Sequence, residues 1–166
     1  MRDDLLDEIG SLEDLGRPEH LLVWALRAIA IGHGDCPLVS RTFAKACGPL
    51  GGQALAAYFA LVRYIGMTGR RRLQVHLPGC PCVSVDETAV VGVIAAAQHP
   101  GCGSGETLLG MRMRFLVGGE PHEAFLSAAR AVAGVLAASG HIPPLRLEGD
   151  ARKAVEAGTA QLRVVH

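Results

Sequence analysis

Apolar residues recur at helical spacing in several separate stretches of the chain. Leu22, Leu26, Ile29 and Ala30, widened by Trp24, form one face of a helix over residues 19–31. Pro18 stands near its start, where a missing N–H is tolerated, and Gly32-His33-Gly34 ends it. Ser40 is the expected cap of a short helix to about Cys47, ahead of Gly48-Pro49. Leu55, Tyr58, Phe59, Val62 and Ile65 line one side of a helix over 51–65, closed by Gly66 and Gly69. Ser84-Val85-Asp86-Glu87 is a capping box, in which hydroxyl and carboxylate each satisfy the other residue's amide. It opens a helix to about Gln98, with Pro100-Gly101 beyond. Phe125, Ala129, Val132 and Leu136 mark a last helix over 121–139.

Two stretches follow a different period. Leu73, Val75 and Leu77 alternate with Arg72, Gln74 and His76, which predicts a short strand over 70–77. Met111, Met113 and Phe115 alternate with Arg112 and Arg114. They predict either a second strand able to pair with the first or a helix beginning at Glu106. Residues 1–18 read as an arm, helical over 3–15 and broken at Gly16-Arg17-Pro18. Residues 101–105 read as a flexible loop, 141–149 as loop or extended chain, and 150–166 as a weak helix at best. The sum is a mainly α fold in a single domain over 1–166, with the arm at 1–18, a core at 19–149 and a tail at 150–166. The architecture expected is a compact bundle of about five helices with one or two short β-strands.

Composition narrows the function. The chain has 166 residues, about the size of one domain, and 49% are apolar, enough for a core without covalent staples. Only seven are aromatic, so the interior is built from Leu, Val, Ile and Ala. The formal net charge is zero. That removes the overall attraction expected of a nucleic-acid or membrane-surface protein, so no DNA, RNA or membrane partner is expected. Arg27, Arg63, Asp86 and Glu87 interrupt the longest apolar runs, which therefore fall short of the ~18 residues of a spanning helix. Met1 to Gly16 is acidic and carries no apolar stretch behind a basic one, unlike a secretion signal. Five cysteines, an odd number without a disulfide framework, fit reduced thiols in the cytoplasm of a bacterial cell.

The candidate chemistry lies at Cys80-Pro81-Cys82, a turn leading into the capped helix. Amide donors at a helix start favour a thiolate, the form that binds metal or reacts, while Asp86 and Glu87 oppose it. His76 stands four residues ahead as a third candidate ligand. A helix from Val85 to Gln98 is about 20 Å long and separates Cys82 from His99 and Cys102. Further ligands would therefore come from Cys36, Cys47 or His33, which follow the ends of earlier helices. The metal set read from the sequence is Cys80, Cys82, Cys36, Cys47 and His76, with zinc as the ion.

The competing readings are buried structural thiols and a thiol-redox pair at Cys80 and Cys82. A further one is a helical protein that pairs with a second copy as a homodimer. Cys36-Pro37 and Cys80-Pro81 are also the dipeptide type that can ligate haem iron. Gly101 to Gly105 lacks the Lys-Ser or Lys-Thr of a phosphate loop, and Arg70-Arg71-Arg72 lacks the aromatic neighbours of a nucleic-acid site. The chain contains no nucleophile elbow, zinc-protease helix, EF-hand loop or paired di-iron motif, which leans the reading away from an enzyme.

Leu21-Leu22-Val23-Trp24-Ala25-Leu26-Arg27, a glycine-rich break, an apolar helix, then Leu73-Gln74-Val75-His76-Leu77-Pro78-Gly79-Cys80-Pro81-Cys82 with Asp86-Glu87 behind form an ordered series. Over residues 20–98 it resembles a family of small uncharacterised bacterial proteins with a Pro-Cys-Cys-Cys-Pro turn before an acidic-capped helix. Gly79-Cys80-Pro81-Cys82 departs from three adjacent cysteines, so at most Cys80 and Cys82 correspond. The resemblance implies that the cysteine turn is a family feature and implies no activity.

Overall fold

A computed structural model of the chain describes residues 8–101 and 103–146. Two strands and six α-helices occupy them: β1 (Glu8–Ser11), α1 (Arg17–Ala30), α2 (Pro37–Cys47), α3 (Gly51–Thr68), β2 (Cys82–Ser84), α4 (Val85–Ala97), α5 (Gly103–Val117) and α6 (Glu123–Ala138). The result is the helical bundle with short strands that the periodicity predicts.

α4 is the central element. Every residue from Ala89 to Ala97 is buried, as in a helix covered on all sides. α5, α6 and α1 pack around it, while α3 joins α2 to α6. Phe43 stacks on Tyr58 at 6.4 Å between ring centres, and Tyr64 on Phe125 at 5.6 Å. These rings and the buried aliphatics of α1, α3 and α6 make one continuous core. Tyr58 is fully buried and donates its hydroxyl proton to the Leu22 carbonyl at 2.8 Å. Burial, and then the charge of Glu87, push its ionisation far above the usual phenol range.

Several boundaries differ from the sequence expectation. α2 starts at Pro37 with Cys36 as its N-cap, so Ser40 lies inside the helix. Proline at the first helical position, with its φ already suitable, overrides the Ser40 cap. α3 runs through Gly66 to Thr68 and stops at Gly69. Residues 70–77 belong to no strand or helix, with the chain bending at Arg70 and Arg71. Residues 111–115 lie within α5, which excludes the strand pairing considered for them. Leu109, Met113 and Leu116 point inward from α5 at helical spacing, while Met111 and Phe115 are exposed.

The sheet forms elsewhere. β1 pairs antiparallel with β2, with Gly10 opposite Val83, Ser11 opposite Cys82 and an irregularity at residue 9. The helix expected over 3–15 is therefore replaced, in its described part, by β1 and a 3-10 turn over Leu12–Asp14. The tail expectation at 150–166 and Cys102 lie outside the described residues. No described helix is long and apolar enough to cross a membrane.

Candidate thiol site

The capping box at the start of α4 forms as its residues predict. Ser84 Oγ accepts from the Glu87 amide at 3.2 Å, and the Ser84 amide donates to Glu87 Oε2 at 2.9 Å. Glu87 does more than cap. It is 0% exposed, and Arg27 reaches it from α1 through Nε at 2.7 Å and a terminal nitrogen at 3.0 Å. His76 adds its amide at 3.0 Å and its Nδ1 at 3.1 Å. Burial pushes the Glu87 carboxyl up, but the hydrogen bonds from Arg27, Ser84 and His76, with the Arg27 charge, outweigh it. They hold it below the ordinary carboxylate range.

Arg27, 1% exposed, also grips the cysteine turn. One terminal nitrogen donates to the Cys80 carbonyl at 2.6 Å and the other to the Cys82 carbonyl at 2.5 Å. Between them the Pro81 carbonyl faces the opposite way and accepts from the Leu12 amide at 2.7 Å. Cys80 closes a turn through its amide to the Leu77 carbonyl at 3.1 Å, the chain bends at Pro81, and β2 begins at Cys82. Both cysteines are half-buried.

The segment ahead of the turn is tied down by the same helix end. The Gln74 amide donates to Asp86 Oδ2 at 2.6 Å, and the Gln74 carbonyl accepts from Ser84 Oγ at 2.5 Å. Asp86 is also paired with Arg71, whose guanidinium lies 4.2 Å from the centre of the Phe115 ring. Leu73 and Val75 are half-buried between exposed Arg72 and Gln74, but the alternation stops there, since His76 is half-buried and Leu77 is 69% exposed, and side chains of α4 take the place of a neighbouring strand. Asp86 and Glu87, read from sequence as charges opposing a thiolate, are each paired with an arginine.

The other candidate ligands are dispersed. Cys36 and Cys47 stand at opposite ends of α2, about 16 Å apart by its length. Cys47 is buried, with its Sγ 3.9 Å from His141 Nδ1. His76 turns its Nδ1 to Glu87. Among the described residues no group of three or more His, Cys, Asp or Glu side chains is placed to hold a metal ion. The five-residue zinc set therefore is not gathered around the turn.

Arg27 is the residue that sequence reasoning missed. It was legible only as a charge interrupting the apolar run of α1, flanked by Leu26 and Ala28. A cation on a core-facing stripe requires a buried anion, and Glu87 was read as a helix cap and a charge opposing a thiolate, not as that anion. No known family, curated protein or solved structure matches the chain, so the site stands on its own geometry.

Proposed function

We propose that the protein is a non-enzymatic binding module whose working part is the Cys80-Pro81-Cys82 turn, a rigid dithiol that takes a soft metal ion. The observation carrying this reading is the grip of Arg27 on the Cys80 and Cys82 carbonyls, which fixes the backbone of the turn that bears both thiols. Residues two apart lie within about 7 Å of each other even in fully extended chain, close enough for both sulfurs to turn toward one ion. A buried ion pair often contributes less stability than apolar residues of the same volume, and its best-attested use is to fix one conformation. Here the conformation is that of a half-exposed turn carrying two soft donors.

The donor set selects the ion. Thiolates prefer copper(I) and zinc among common ions. Structural zinc takes four protein donors, whereas copper(I) is satisfied by two thiolates, which matches Cys80 and Cys82. Binding as thiolates releases their protons, so affinity rises with pH.

Anaerobic titration of the reduced full chain with copper(I) against a competing chelator tests this. Equimolar uptake is expected, lost in Cys80→Ser and Cys82→Ser and retained in Cys36→Ser and Cys47→Ser. Uptake that persists in the Cys80→Ser/Cys82→Ser chain would sink the reading. Equimolar zinc in protein purified without added metal, dependent on the same two cysteines, would keep the module and change the ion. Reversible loss of both thiols to peroxide, with no ion taken up, would replace metal binding by redox chemistry.

A further inference from the structure

Away from the thiol turn, α1 and α2 flank an open groove of about 390 Å³ lined by Arg17, His20, Leu21, Trp24 and Thr42. The α1 residues are spaced at i, i+3, i+4 and i+7 and so form one helix face. On α2, Leu38 and Lys45 share the face of Thr42 by the same rule. Leu38 is 55% exposed and Trp24 is half-buried. Leu21 and Trp24 give the groove an apolar floor, Arg17 and His20 stand exposed at its edge, and exposed Lys45 extends that rim along the Thr42 face of α2. Among the described residues no carboxylate is paired with Arg17 or Lys45. Neither rim face contributes an acid: Glu19, on the same helix, turns inward to Arg146.

We infer that this groove docks an acidic amphipathic helix of a partner protein. Its apolar side would cover Leu21, Trp24 and Leu38, and its carboxylates would meet Arg17, His20 and Lys45. Helices recognised in grooves present anchors at i, i+3, i+4 and i+7, and tryptophan and arginine dominate such contacts. The occupant is assigned by charge, because an apolar floor with an unneutralised cationic rim complements a helix that is apolar on one side and acidic on the other. A cationic or uncharged helix would leave the rim unanswered.

Trp24 is the sole tryptophan of the chain, so its fluorescence reports the groove directly. The probe is a designed amphipathic peptide of about 18 residues, five turns long, with leucines on one face and glutamates on the other. The full chain should respond with a saturable blue shift, weakened roughly tenfold between low and high salt as screening removes the charge contacts. Arg17→Glu/Lys45→Glu should weaken binding at least about tenfold, the equivalent of ~1.4 kcal/mol, with the circular dichroism spectrum unchanged. Leu38→Ser should weaken it with the salt dependence retained. Three results would each overturn the proposal: equal binding of the same peptide with glutamine for glutamate, saturation by a single-stranded oligonucleotide instead, or a concentration-dependent dimer that buries Trp24 without peptide.

Discussion

Glu87 accepts five hydrogen bonds and Arg27 donates to three separate groups, so neither can be removed alone without stranding the other. Arg27→Met should destabilise the fold by about 3–5 kcal/mol in denaturant titration, the cost of an unpaired buried charge. Arg27→Met/Glu87→Leu should recover only part of that loss, because the Ser84 and His76 donors then lack their acceptor. It should still bind copper(I) more weakly than the native chain, because the Cys80 and Cys82 carbonyls have lost their clamp. Recovered stability with native affinity would show that the clamp plays no part in binding. The depressed Glu87 carboxyl gives a signed pH effect. A folded value below the unfolded one of about 4.3 adds stability that is complete above that pH and disappears as pH falls through the folded value. Glu87→Gln should therefore flatten the acid limb of stability against pH, a comparison made by thermal melts from neutral to strongly acid buffer.

At the scale of elements, the start of α4 organises a segment that has no secondary structure of its own. Ser84 both caps the helix and donates to the Gln74 carbonyl. Ser84→Ala should cost about 1–2 kcal/mol, at the upper end for a helix cap, since a second bond is lost with it. A loss well below 0.5 kcal/mol in the same denaturant titration would show the segment at 70–77 to be held by other contacts. This element also shows what periodicity can and cannot read. The capping box was legible because both partners lie within four residues. The alternation over 72–75 was legible but its partner was not, since period two states only which side chains face inward, and it failed at Leu77, which is exposed. The amides of Gln74 and His76 found carboxylates on a helix instead of carbonyls on a strand. Likewise Met111, Met113 and Phe115 fit either period over so short a run, and burial along the neighbouring leucines decided for the helix.

Across the whole molecule, α4 is enclosed by its neighbours and should be the last element to open. Its amides from Val90 to Ala96 should exchange most slowly, at the rate of global unfolding, while those of β1 exchange fastest. Ile94→Ala, at a fully buried position, should cost about 2–5 kcal/mol and lower the stability of every helix together. The mainly helical bundle, most of its apolar faces and the absence of a spanning helix among the described residues follow from local patterns, and they were legible in the chain. The junction of α1 with the cysteine turn depends on residues 60 positions apart, and no periodic signal spans that distance.

From the sequence alone came the helices with their inward faces, the cap at Ser84 and the turn at Cys80-Pro81-Cys82, because each depends on neighbours within one or two turns. Only the tertiary structure decided that Arg27 would reach that turn, that Cys36 and Cys47 would stand at opposite ends of α2, and that Gln74 and His76 would bond to a helix end. Those outcomes rest on which buried charges meet across the core. A buried charge requires a partner, but its identity is settled only when the helices pack.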